Sequence, residues 1–214
     1  MEFWRAFQAV VEAALGHTST RALVAAYFTK PHPVEAAISA PALLAAKIID
    51  EDRTRTMLAK AWAGEKLAPI CAAQASFAWL DRFSEAGRFP EALWSLIADA
   101  ITARSPDALL AALDFIRASY ARHPDAVPAG LDDRVARALE ALLAATEVPE
   151  IRTALTYDPG AARKTGARLI AAMKTAGRAP EVLVETWRRA AAAERIPEIG
   201  DGLEAGITEE DDEG

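Results

Sequence analysis

Three histidines and one cysteine are the side chains of this sequence best suited to bind zinc. His17, His32 and His123 each lie beside a proline or an expected helix end, and none has a second His or Cys three or four residues away. Zinc sites commonly take two of their ligands at such short spacings. Cys71 lies in an apolar run with no basic residue within four positions, which favours a buried thiol over a reactive one. The sequence therefore predicts no metal ion and no cofactor.

Acidic side chains could carry general acid–base catalysis or bind a metal at two places, residues 50–52 and residues 132–133. Neighbouring acids on a helix point in different directions, because only residues three or four apart share a face. A solvated face or a helix cap is the favoured interpretation of both groups. The chain has no glycine-rich phosphate loop, no Gly-x-Ser-x-Gly and no His-Glu-x-x-His. We therefore expect no catalytic activity.

Arginine supplies 18 of the 24 basic residues, and several arginines lie close together near the C-terminal end. This cluster could contact nucleic acid or an acidic partner, and the alternative is that it covers solvated helix faces. The spacing of the five tryptophans favours a place in the core, whereas an exposed tryptophan would mark an interface. The candidate partner-binding residues are Arg168, Arg178, Arg188, Arg189 and Trp187.

These candidates surround one copy of a short motif that occurs twice. Residues 86–93 read Ala-Gly-Arg-Phe-Pro-Glu-Ala-Leu, and residues 176–183 read Ala-Gly-Arg-Ala-Pro-Glu-Val-Leu. Glycine takes the left-handed conformation that ends a helix, and proline is tolerated in the first turn of the next helix. Both copies are therefore predicted to form a corner between two helices, with a positive φ at Gly87 and at Gly177.

Composition and periodicity predict helices and essentially no sheet. Hydrophobic residues make up 52% of the chain, many of them are alanine, and β-branched residues never alternate over the length of a strand. A long helix is expected to begin at Pro41 and to run through Ile49, after which residues 50–53 either break it or form a solvated face. The expected fold is all-α, an irregular array of helical hairpins similar to an α-solenoid, with about eight to ten helices.

The first corner resembles the tetratricopeptide repeat family over about 30 residues. Five residues match the spacing of that family: Phe83, Gly87, Phe89, Ala92 and Leu96. The sequence departs from the family at Leu80, where a small residue is usual, and at Pro106, which comes roughly two residues late. The second corner departs from it at Ala179 and Thr186. The resemblance implies a helical-repeat scaffold or adaptor that binds a peptide or a helix of a partner protein.

The net charge of −7 comes from one end of the chain. Residues 198–214 hold eight acidic and no basic residues, whereas residues 1–197 hold 23 acids and 24 bases. A nearly neutral body is not typical of a nucleic-acid-binding domain. Residues 198–214 are predicted to be a disordered acidic tail, because their few apolar groups cannot offset the entropy lost on ordering.

The strongest helix-breaking stretch is residues 123–130, which contain Pro124, Pro128 and Gly130. It is predicted to separate an N-terminal helical half, residues 1–123, from a C-terminal helical half, residues 131–197. Residues 1–5 include an acid and open no continuous apolar run, so no signal peptide is expected. No apolar run reaches the roughly 18 residues that span a bilayer. The expected location is therefore the cytoplasm, without membrane contact.

The expected function is that of a non-enzymatic module that binds another protein through a peptide or a helix. The alternative is a helical subunit of a nucleic-acid-associated complex that uses the C-terminal arginines. The abundance of arginine is typical of a bacterial genome rich in G·C pairs. The two functions differ in salt dependence, because phosphate contacts weaken steeply as salt concentration rises.

Overall fold

The computed structural model describes residues 2–65, 67–85, 91–102, 106–145 and 159–192. Within these ranges the chain forms ten α-helices and no strand, which confirms the all-α helical array. The helices are α1 (Glu2–Leu15), α2 (Thr18–Tyr27), α3 (Pro33–Ala45), α4 (Glu51–Trp62), α5 (Leu67–Glu85), α6 (Glu91–Thr102), α7 (Pro106–Arg122), α8 (Ala129–Ala145), α9 (Pro159–Thr175) and α10 (Glu181–Ala192). The predicted acidic tail, residues 198–214, lies outside the described residues, and so do residues 86–90 of the first corner.

The chain divides into two compact units, residues 1–96 and residues 97–214. The division lies within α6, whereas the sequence pointed to residues 123–130. That stretch lies inside the second unit, where Pro124–Ala126 form a single 3-10 turn packed against α7. Val127 after the turn is buried, and α8 begins two residues later. The helix breakers there turn the chain between two helices of the same unit.

Helix α3 is the centre of the first unit and packs against α1, α4 and α5. Seven of its 13 residues are buried, among them Ile38 and Leu43. Helix α4 also packs against α5, where Trp62 Nε1 donates a hydrogen bond to Ser76 Oγ at 3.3 Å. The apolar side chains of α3 are therefore covered by three other helices.

The prediction that a helix begins at Pro41 is wrong, because Pro41 lies inside α3. A proline within a helix costs about 3 kcal/mol, since it cannot donate to the carbonyl four residues earlier. The burial of seven of the ten residues from Val34 to Leu43 offsets that loss. The helix then ends at Ala45, and Asp50 caps α4 by accepting a hydrogen bond from the backbone N–H of Arg53 at 2.7 Å. Residues 50–53 do not break α3, which ends before them: Asp50 caps α4, and Glu51, Asp52 and Arg53 form its exposed first turn.

Helix α9 is the centre of the second unit. It packs most extensively against α7, and it also contacts α8 and α10. The core between these helices contains Ile116, Leu139, Leu169 and Trp187, all of them fully buried. Helix α8 is joined to α6 by Arg134, whose Nη2 donates to the carbonyl oxygen of Ala98 at 3.1 Å.

Tryptophans and the single cysteine occupy the core, as their spacing predicts. Trp62, Trp79, Trp94 and Trp187 are buried, whereas the side chain of Trp4 is outside the described part of the chain. Cys71 is buried as well, and burial raises the pKa of its thiol. The thiol therefore stays protonated near neutral pH and is a poor nucleophile.

Candidate functional site

The five candidate partner-binding residues occur on α9, on α10 and in the corner between them, and they differ in exposure. Trp187 is completely buried, Arg168 on α9 and Arg178 in the corner are half-buried, and Arg188 and Arg189 on α10 are exposed. Exposed surface is thus available at two of the five residues. The other three lie wholly or partly within the second unit.

The corner between α9 and α10 has the geometry predicted for a glycine that ends a helix. Gly177 has a φ of +68°, its N–H donates to the Lys174 carbonyl at 2.9 Å, and the N–H of Arg178 donates to the Met173 carbonyl at 2.8 Å. These two bonds form the Schellman motif, which satisfies carbonyls left over at the end of a helix. The prediction is confirmed for Gly177, whereas Gly87 lies outside the described residues.

Arg178 turns its guanidinium inward and joins three segments of the second unit. Its Nε and Nη2 donate to the two carboxylate oxygens of Asp132, at 2.9 and 2.8 Å. Its Nη1 donates to the carbonyl oxygens of Pro124, at 3.0 Å, and of Val127. The guanidinium also lies 5.2 Å from the centre of the Tyr120 ring, and the Tyr120 hydroxyl donates to Asp132. We call these residues the Arg178 cluster.

The Arg178 cluster uses most of the hydrogen-bonding capacity of its arginine, which has five N–H donors. The side chains of Arg178 and Asp132 are each 19% exposed, so their pair is more shielded from solvent than a surface ion pair. Asp132 was expected on a solvated face or at a helix cap, but it lies inside this cluster, whereas Asp133 is exposed. The cluster ties α7 and the 3-10 turn to α8 and to the corner before α10.

Ionisation of Tyr120 should be suppressed in the folded protein. Burial first, and then the hydrogen bond to Asp132, raise the pKa of Tyr120 far above its ordinary value of about 10. Because the folded-state pKa exceeds the unfolded-state pKa, the resulting stability is complete below about pH 10 and is lost as the pH rises beyond it. We expect a tyrosinate absorbance titration to show one late ionisation that coincides with unfolding.

The comparison that checks this expectation is the Tyr120→Phe variant. It should lack the late ionisation, and its free energy of unfolding should fall less steeply above pH 10, by up to about 1.4 kcal/mol per pH unit. If the extra ionisation of the wild type instead falls near pH 10, and the free energies of unfolding of both proteins fall equally steeply above that pH, Tyr120 ionises freely in the folded state.

The outer side of α10 carries the exposed candidates. Arg188 Nη1 lies 3.0 Å from one carboxylate oxygen of Glu185, and Arg189 Nε lies 2.9 Å from the other. The hydrogen bond from Arg189, and then that from Arg188, lower the pKa of Glu185. Two guanidinium groups therefore share one carboxylate on the surface, and such exposed pairs contribute little to stability.

A cavity of about 740 Å³ lies beside this part of α10. Its charged lining residues are Lys174, Glu181, Glu185, Arg188 and Arg189. Its apolar lining comprises Val182, which is 75% exposed, the half-buried Val184 and Ala179. We call this cavity the α10 groove. It combines an exposed aliphatic side chain with a charged rim of three cations and two acids.

Two features are absent from the described part of the chain. No helix there is both long and apolar enough to cross a bilayer, and no three His, Cys, Asp or Glu side chains come together as metal ligands would. The chain matches no family model, no curated protein and no solved structure. The resemblance to tetratricopeptide repeats therefore stays a prediction.

Proposed function

We propose that this chain is a non-enzymatic protein-binding module, a scaffold or adaptor, that docks a partner helix or peptide in the α10 groove. The observation that carries the proposal is the exposure of Val182 at the edge of a cavity of about 740 Å³. Exposed aliphatic residues are common on protein surfaces when they are scattered singly. Val182 differs because it shares its cavity with a second valine and with a charged rim. An apolar centre with a polar rim is the usual anatomy of a protein interface.

The charges of the α10 groove indicate what the partner carries. Lys174, Arg188 and Arg189 face only Glu181 and Glu185, so the lining has one positive charge in excess. A partner that places one aliphatic side chain against Val182 and carboxylates beside the two arginines complements this lining. Such a segment fits a helix that presents residues at i, i+3 and i+4 to a groove.

Nucleic acid is the weaker candidate partner. Among the five predicted contact residues only Arg188 and Arg189 are exposed, and both already bind Glu185. Arg178 is held in the Arg178 cluster by Asp132. These three arginines therefore do not form the continuous basic surface on which phosphate binding depends.

Fluorescence anisotropy with two labelled helical peptides tests the proposal. One peptide carries an aliphatic stripe flanked by glutamates, and the other has the same stripe flanked by lysines. We expect saturable binding of the glutamate peptide and at least about tenfold weaker binding of the lysine peptide. Val182→Asp should weaken binding of the glutamate peptide at least about tenfold, because a buried carboxylate without a partner is costly.

Leu23→Asp is the matched control, since Leu23 is 70% exposed on α2 in the other unit. This variant should bind the glutamate peptide as the wild type does. The proposal fails if neither peptide binds, or if both variants weaken binding equally. Tight binding of single-stranded DNA that falls steeply with salt would instead favour the nucleic-acid alternative.

A further inference from the structure

A second, smaller cavity in the first unit has a distinct chemical character. It has a volume of about 200 Å³ and lies where the end of α2, the start of α3 and one face of α4 meet. Its lining residues are Thr29, Lys30, Pro31, Pro33, Ala36, Arg53, Thr56, Met57 and Lys60. We call this cavity the basic cleft. It belongs to a different unit from the α10 groove, and nothing in the proposed function uses it.

Charge sets the basic cleft apart from the rest of its unit. Residues 1–96 contain ten basic and ten acidic residues, so the unit as a whole is balanced. Among the described residues that line the cleft, three are cationic and none is acidic. Arg53, Met57 and Lys60 follow one another at i, i+4 and i+7, which places them on one face of α4. Helix α4 thus contributes two cationic side chains, Arg53 and Lys60, to the cleft, together with the buried Met57.

Three of the acids nearest in sequence have partners outside the cleft. Asp50 caps α4 through the backbone N–H of Arg53, and Asp52 pairs with Arg55 at 3.2 Å. Glu35 accepts a hydrogen bond from the Tyr27 hydroxyl at 2.9 Å. In the described part of the chain neither lysine of the cleft pairs with a carboxylate. Among the described residues, the three cations therefore line the cleft together without a carboxylate.

Several contacts hold the basic cleft in shape. Arg53 Nη2 donates to the carbonyl oxygen of Thr29 at 3.0 Å, which fixes the guanidinium beside Lys30. Met57 and Ala36 are buried and form its floor. The first turn of the 13-residue helix α3 also lines the cleft, so the positive end of that helix dipole adds to the charge of the side chains.

The two threonine hydroxyls of the basic cleft already donate hydrogen bonds to backbone carbonyls, so the cationic side chains are its available donors. The hydroxyl of Thr29 donates to the Ala26 carbonyl at 2.7 Å, and the hydroxyl of Thr56 donates to the Asp52 carbonyl at 2.9 Å. A bound group must therefore accept hydrogen bonds from ammonium and guanidinium groups. Anions with several oxygens match such donors, and phosphate is commonly bound in this way by lysine and arginine.

We propose that the basic cleft binds a phosphate group, either as the free dianion or at the end of a small phosphate ester. Its volume holds roughly six or seven water molecules, which is ample for one phosphate group. It is smaller than the cavities of roughly 300–1,000 Å³ that hold drug-sized ligands. The phosphate supplies the counter-charge that the protein itself does not place between Lys30, Arg53 and Lys60.

Titration with inorganic phosphate at constant ionic strength, followed by amide NMR and by thermal unfolding, tests the proposal. We expect saturable shifts at the amides of Lys30, Arg53 and Met57, and a rise in the unfolding midpoint of about 3–6 °C at tenfold excess over Kd. Sodium chloride at the same ionic strength should produce neither. A parallel titration with a sugar phosphate shows whether the free anion or the ester binds more tightly, and tighter binding of either supports the proposal.

Two variants of α4 distinguish a specific phosphate site from non-specific attraction of phosphate to a basic surface. Lys60→Gln should weaken phosphate binding at least about tenfold, because it removes a charged donor. Arg55→Gln removes the same charge from the same helix, but Arg55 does not line the basic cleft, so its Kd should stay within about twofold of wild type. Both substituted side chains are exposed, so both variants are expected to fold. Equal weakening in both variants, or no saturable shift in the wild type, would overturn the proposal.

Discussion

Replacing Arg178 with alanine should lower the free energy of unfolding of the second unit by about 3–5 kcal/mol, the range found when one partner of a shielded ion pair is removed. The substitution leaves the Asp132 carboxylate in a site where its side chain is only 19% exposed. It also removes the donor from the carbonyls of Pro124 and Val127 and the cation from the Tyr120 ring.

Urea unfolding of three variants measures this effect. Arg178→Lys should recover little of the loss, because an ammonium group cannot reproduce the planar fork that binds both oxygens of Asp132. Arg188→Ala on α10 is the control, since its pair with Glu185 is 59% and 41% exposed and should contribute no more than about 0.5 kcal/mol. If Arg178→Ala unfolds within 1 kcal/mol of wild type, the cluster does not stabilise the unit.

A double-mutant cycle isolates the pair itself. Arg178→Ala combined with Asp132→Asn should cost less than the sum of the two single changes, because the carboxylate left unpaired by the first is neutralised by the second. Additive costs would mean that Arg178 acts through the Pro124 and Val127 carbonyls rather than through Asp132.

The corner between α9 and α10 shows which features the sequence could predict. The conformation of Gly177 depends on residues within five positions of it, so the local pattern of glycine and proline predicts it. The hydrogen-bond partners of Arg178 are 46 to 54 residues away in the chain, and no local pattern indicates them. The local pattern therefore predicts the conformation of Gly177 correctly, but it does not distinguish Arg178 from the exposed arginines of α10.

Burial in the core explains why two other predictions, a helix start at Pro41 and a partner contact at Trp187, differ from the structure. Pro41 follows a local rule for beginning a helix, but the core contacts of α3 outweigh that rule. For Trp187 the sequence does hold a signal, because Leu183 and Trp187 are four residues apart and share the buried face of α10. Arg188 and Arg189 lie about 100° and 200° around the helix from Trp187, which separates them from that face. Periodicity within α10 is thus more informative than proximity of basic and aromatic residues along the chain.

Replacing Trp187 with alanine should also be severe, with a loss of about 3–5 kcal/mol in the free energy of unfolding. The ring is 0% exposed and lies against α9 at Gly166. A Cβ built on Gly166 would stand 2.6 Å from Trp187 Cη2 and 3.2 Å from Leu139 Cδ2. Among the described residues Trp187 Nε1 has no hydrogen-bond partner, so the loss comes from packing alone. Trp187→Phe should therefore cost clearly less than Trp187→Ala in the same urea experiment.

Gly166→Ala tests the same contact from the opposite side. Alanine favours a helix by about 1 kcal/mol over glycine, yet here its methyl group overlaps a ring that has no room to move, so we expect a net loss of about 1–3 kcal/mol. Gly130→Ala in the first turn of α8 is the matched control, because a Cβ there meets nothing within 4 Å, and it should be neutral or stabilising. The smaller ring of Trp187→Phe should relieve part of the loss when it is combined with Gly166→Ala. If Gly166→Ala stabilises the protein as Gly130→Ala does, the indole is not seated against α9 and the proposed core of the second unit must be revised.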